Sequence, residues 1–143
     1  MALTTNLISY WKLDDDWNDS QGTNHGSVFS LPPFQTRSGW TGKVVAFDGI
    51  DDYISANHHA TLNLTDKVSM STWVNISALL STNTTWSMIM GKQSGGSVDG
   101  GYGLWINGDS YYGYGGAEIS ANFYGGSGIH VSRGFGVLIK MEV

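Results

Sequence analysis

Leu7-Ile8-Ser9-Tyr10-Trp11-Lys12-Leu13 puts Leu7, Ser9, Trp11 and Leu13 on one side of an extended chain and Ile8, Tyr10 and Lys12 on the other, until Asp14-Asp15-Asp16 ends the pattern. A two-residue period closed by a polar run predicts a strand. The same period returns at the far end. Ala117, Ile119, Ala121 and Phe123 alternate with Glu118, Ser120, Asn122 and Tyr124, and Phe135, Val137, Ile139, Met141 and Val143 alternate with Gly136, Leu138, Lys140 and Glu142. Each of these runs is expected to bury one face. Between them Lys43–Phe47, Tyr53–Ala56, Val68–Ile76, Trp86–Gly91 and Gly103–Asn107 are bounded by Gly, Asn, Asp or Ser clusters and predict further strands. With 20 Gly and 18 aromatics in 143 residues, long helices are disfavoured. The chain reads as an all-β sandwich or barrel.

Its length suits a single domain spanning residues 1–143, large enough to hold a core without a disulfide or metal staple. There is no Cys, which removes disulfide frameworks, thiol nucleophiles and Cys-ligated metals. A net charge of −5 lacks the clustered cations that phosphate binding requires, so nucleic acid is not an expected partner. No apolar run is long enough to span a membrane, and residues 1–6 have neither the basic patch nor the apolar core of a signal peptide. The expectation is a soluble chain of unknown compartment.

Long polar connections fall at Asp14 to Gly42, Asn57 to Lys67, Ser77 to Thr85 and Gln93 to Gly101, and on a compact β-domain such loops commonly carry binding. The Gly-Tyr-rich run Gly108 to Gly116 reads as a strand broken by glycines. Motifs for catalysis are missing: His-Glu-x-x-His, Gly-x-Ser-x-Gly and the phosphate-binding glycine loop do not occur. The two glutamates, Glu118 and Glu142, are too far apart for a Glu-x-Asp-x-x-Glu glycosidase strand. His58 and His59 are adjacent, so on a strand they would face opposite ways rather than chelate one ion. Four Asn-x-Ser/Thr triplets are expected from the Ser and Thr content alone.

An ordered set of segments carries a resemblance. Leu7 to Asp14 is followed by Asp19-Ser20-Gln21-Gly22-Thr23-Asn24-His25-Gly26 and then by Gly42-Lys43. Next come Ala46-Phe47-Asp48-Gly49-Ile50-Asp51-Asp52-Tyr53-Ile54, Leu62-Asn63-Leu64, Val68 to Val74 and Ile89-Met90-Gly91-Lys92. Over Leu7 to about Asn107 the series resembles the laminin-G-like, or concanavalin A-like, antiparallel jelly-roll domains of many bacterial surface and polysaccharide-acting proteins. The second half of that pattern is not matched. Ile129-His130-Val131 is all that is similar to it, so the jelly-roll is expected to be incomplete at its C-terminal end.

The resemblance implies a non-catalytic, lectin-like module that binds carbohydrate, with a structural or protein-interaction domain as the alternative and a glycoside hydrolase behind both. It implies a structural calcium between the Asp-Ser-x-Gly loop and the Phe-Asp-Gly turn, held by Asp19, Asn24 and Asp48 with carbonyls of Gly22 and Gly26. Carboxylate, amide and carbonyl oxygens are the ligands calcium takes. Sugar stacking needs exposed aromatic planes beside polar groups, and the candidates in or near loops are Trp40, Trp86, Trp105, Tyr111, Tyr112 and Tyr114. Trp11 and Trp73 are expected in the core. A shortened sandwich exposes strand edges. Phe135–Val143, with an apolar odd face and glycines at 134 and 136, is therefore expected either to fold back or to cross to a second copy, giving a homodimer.

Overall fold

A computed structural model of the chain describes residues 5–76, 86–93, 101–107, 118–125 and 128–132. It is an all-β protein, built from small antiparallel sheets with a single 3-10 turn, Ala60–Leu62, among the described residues. No helix among them is long and apolar enough to cross a membrane. The chain divides into two compact units, Met1–Leu62 and Asn63–Val143.

In the first unit β1 (Gly26–Phe29) pairs antiparallel with β4 (Tyr53–Ala56), and β2 (Phe34–Thr36) with β3 (Lys43–Val45). On the β1–β4 ladder Val28 sits opposite Ile54 and Gly26 opposite Ala56 on the inner side, while Phe29 opposite Tyr53 and Ser27 opposite Ser55 face outward. The two outward rings stack with centroids 4.8 Å apart and planes inclined by 13°. Trp17 and Phe34 stack likewise at 4.4 Å. Each such pair contributes about 0.5–1.5 kcal/mol beyond area burial.

Leu7–Leu13 does not enter a sheet as expected. Its ladder is reduced to one bridge between Trp11 and Asp19, because the N–H of Tyr10 is taken by the Asp19 carboxylate instead of a neighbouring strand. Leu13, at φ 57°, then turns the chain out of extended geometry. Conversely β1 and β2 lie within the stretch read as a loop, since strands of four and three residues among Gly, Asn and Pro leave too short a period to see.

In the second unit β5 (Trp86–Gln93), β6 (Gly101–Asn107), β7 (Glu118–Gly125) and β8 (Gly128–Ser132) form one antiparallel sheet in chain order. Tyr102 and Leu104 of β6 are its buried apolar residues, Leu104 lying opposite Ala121 on one side and Met90 on the other. Ile89 is an extra residue on β5, a bulge between the Met88–Trp105 and Met90–Leu104 pairs. β8 grows from the Ile129-His130-Val131 segment. The 68–76 stretch joins no ladder among the described residues, yet its burial alternates at every residue, as an extended chain requires. Residues Phe135–Val143, read as a final strand, lie outside the described residues, as does the 108–116 run.

Gly42 shows where the first unit tolerates no side chain. It sits at φ +91°, and a Cβ there would collide with the Asp14 carboxylate, whose Oδ1 accepts the N–H of Lys43 at 3.0 Å at the start of β3. Gly42→Ala is expected to destabilise the chain by about 1–3 kcal/mol through backbone strain and loss of that contact. Urea unfolding of the two proteins measures it.

Candidate functional site

Asp19 and Asn24, although polar, are among the most buried residues described, at 4% and 5% exposure. Buried polar groups must be satisfied, and these are. Asp19 Oδ1 accepts the backbone N–H groups of Tyr10 (2.9 Å), Gln21 (3.0 Å) and Gly22 (2.9 Å), and Oδ2 accepts that of Asn24 (3.1 Å). The Asp19 N–H donates to His25 Nδ1 at 3.2 Å, which leaves that ring nitrogen unprotonated. Burial pushes the Asp19 carboxyl up, but the N–H groups of Tyr10, Gly22 and Gln21 and the Ser9 hydroxyl outweigh it and hold the group well below the usual carboxylate range.

Asn24 extends the network. Its Nδ2 donates to Ser9 Oγ (2.7 Å) and Thr61 Oγ1 (3.2 Å), and its carbonyl accepts the Trp11 indole N–H at 2.8 Å. Trp11 is thus anchored but only half-buried, where a core position was expected. Gly22 is required by closeness, since a Cβ there would stand 2.8 Å from Asp19 Oδ2 and 2.9 Å from the Ile8 carbonyl. The Gly26 N–H donates to the Trp17 carbonyl at 2.7 Å as β1 begins.

Among the residues expected to hold calcium, the Asp19 carboxylate accepts four backbone N–H groups, one of them from Asn24, and Asp48 is one of a group of three carboxylates. Asp48, Asp51 and Asp52 bring carboxylate oxygens within 4.8 Å of one another, the one such cluster of three among the described residues. Asp48 Oδ1 accepts the N–H of Ile50 (2.8 Å) and Asp52 Oδ2 that of Asp48 (2.9 Å), so the loop is closed by its own carboxylates around Gly49 at φ +76°. Three carboxylates make a hard-oxygen donor set of the kind calcium takes.

Of the aromatic candidates, Trp40 is 42% exposed and follows a turn closed by its N–H to the Arg37 carbonyl at 3.1 Å, with Gly39 at positive φ. Trp105 is half-buried on β6 opposite Ser120, whose buried hydroxyl has no hydrogen-bond partner among the described residues, and Trp86 opens β5. Tyr111, Tyr112 and Tyr114 lie outside the described residues. Trp73, expected in the core, is instead 61% exposed. The sequence held the signal: Val68, Met70, Val74 and Ile76 share one phase, and Trp73 falls on the other with Ser69, Ser71 and Asn75. His58 and His59 are both exposed.

Comparison with known proteins finds no matching family model, no matching curated protein and no matching solved structure.

Four N–H donors depend on the Asp19 carboxylate, so Asp19→Ala is expected to cost about 3 kcal/mol or more. The folded group titrates below its unfolded value near 3.9. Its contribution is therefore complete above about pH 5 and is lost as the pH falls through about 4 toward the folded value. Unfolding midpoints measured from pH 7 to pH 3 should drop for the wild type, and the drop should be shallower in Asp19→Ala.

Proposed function

We propose that the chain is a non-catalytic, lectin-like binding module of jelly-roll architecture that takes carbohydrate on exposed aromatic side chains. The observation that carries this is Trp73, 61% exposed on the same side of its segment as Ser69, Ser71 and Asn75. A sugar ring offers an apolar C–H face and fixed hydroxyls. An indole surrounded by hydroxyls and an amide meets both at once. In the first unit, Trp40, exposed beside the Arg37–Trp40 turn, is by itself a candidate of the same kind. The sequence has no Glu-x-Asp-x-x-Glu strand pattern of the glycosidases that share the resembled fold, which favours binding over turnover.

The calcium implied by the resemblance belongs to the same proposal as a structural ion, with Asp48 as the residue that tests it. A glycan array in the presence and absence of calcium should show retention of defined oligosaccharides without cleavage. Trp73→Ala should weaken that retention about tenfold, the scale of one lost aromatic stack. A calcium-dependent rise in melting temperature should disappear in Asp48→Ala. A flat response across glycans overturns the carbohydrate assignment, and release of products moves the chain to the hydrolases.

Self-association belongs to the proposal too, through the apolar odd face of Phe135–Val143. Light scattering at micromolar concentration should give the mass of a dimer, reduced to that of a monomer in a chain ending at Ser132. A monomeric full chain overturns it.

A further inference from the structure

The end of the β1–β4 ladder where Phe29 and Tyr53 stack gathers an unusual surface. β1 leaves there into Ser30 and Leu31, two consecutive non-glycine residues in the left-handed region at φ 59° and 54°. That geometry costs of order 1 kcal/mol per residue, and it accompanies a Leu31 that is 76% exposed while Pro32 after it is buried. β4 is entered there from the carboxylate-closed loop, which holds Ile50 outward at 86% exposure. Phe29, Phe47 and Tyr53 are each half exposed. Single exposed apolar residues need no explanation, but five on adjoining segments do.

Charge specifies what covers them. The Asp48, Asp51 and Asp52 carboxylates sit in the same loop, and neither residues 26–36 nor residues 44–66 contain a Lys or Arg. The one ion pair among the described residues joins Lys43 to Asp15. A second copy of this chain is a poor match, because a two-fold contact would bring two such acidic loops into one interface on a chain already at −5. A sugar is also a poor match, since the most exposed of these side chains, Ile50 and Leu31, are aliphatic and offer no ring to stack on. A polypeptide fits. β1 and β4 have only each other as ladder partners among the described residues, leaving edges to which an extended segment can add.

We propose that this end of the β1–β4 ladder docks an extended polypeptide segment of another protein in which apolar side chains are flanked by Lys or Arg. The apolar side chains cover Ile50, Leu31 and the Phe29–Tyr53 pair, and the cations meet the Asp51 and Asp52 carboxylates.

The test uses fluorescence anisotropy of a labelled strand-length peptide of alternating Leu and Lys, with Leu/Glu and Ser/Lys peptides of equal length as controls. The Leu/Lys peptide should bind the full chain, more weakly as salt is raised, and the controls should not. Ile50→Ser and the Asp51→Asn/Asp52→Asn pair should each weaken binding at least roughly tenfold. Ile50 is exposed and Asn keeps a carbonyl acceptor, so both variants leave the loop's own hydrogen bonds in place, and matching circular dichroism confirms it. Trp73→Ala should bind as the wild type does, which separates this surface from the sugar site. No binding overturns the proposal. So does binding by the Ser/Lys peptide, or binding indifferent to both variants, either of which reports general attraction to an acidic chain. Self-association abolished by Ile50→Ser would overturn it in favour of a second copy.

Discussion

The carboxylate of Asp19 is the constraint from which the first unit is organised. It collects N–H groups from Tyr10, Gln21, Gly22 and Asn24, and in doing so ties residues nine positions upstream to a loop five positions downstream. A neutral acceptor would serve one or two of these donors, whereas an ionised carboxylate has the lone pairs for all four. The same bonds explain why the group stays charged although it is 4% exposed: removal from water opposes ionisation, and the four donors oppose protonation more strongly. In this unit order is thus set by hydrogen bonds around buried polar side chains as much as by apolar burial. Asn24 continues that order to Ser9, Trp11 and Thr61.

Much of the strand content was legible because alternation is a local property. Tyr53–Ala56 is the observed β4, and Trp86–Gly91, Gly103–Asn107 and Ala117–Tyr124 lie within one or two residues of β5, β6 and β7. Leu7–Leu13 shows where locality ends. Its odd phase is half-buried throughout, as the pattern required, but whether an extended segment enters a ladder depends on who takes its N–H groups, and here a side chain far along the chain does so. β1 and β2 were hidden for the opposite reason, since they are shorter than the period needed to reveal them.

The site residues divide along the same line. Exposure of Trp73 was written in the phase of its neighbours, and a core role followed only from counting tryptophans in strands as buried. The different surroundings of Asp19 and Asp48 were not written there. Both are Asp-Gly-rich turn sequences that offer the same oxygens, and the difference is that one carboxylate lies 4% exposed inside a ring of backbone donors while the other lies exposed among acids. Residue type gives the ligand chemistry; only placement decides whether lone pairs are still available.

That distinction bears on how one small β-chain can present two unlike surfaces. Where the carboxylate is buried, its charge is consumed by backbone donors and acts as a structural tie. Where a carboxylate is exposed, as at Asp48, only a fraction of its acceptor capacity closes the loop, and the remaining charge is directed to solvent beside Ile50. The loop is thereby closed and charged while its apolar tip is held out. Trp73 sits instead among neutral hydroxyls and an amide, which suits a partner without charge. The charge a surface presents is thus set by which acids the backbone has already satisfied, and not by residue type alone.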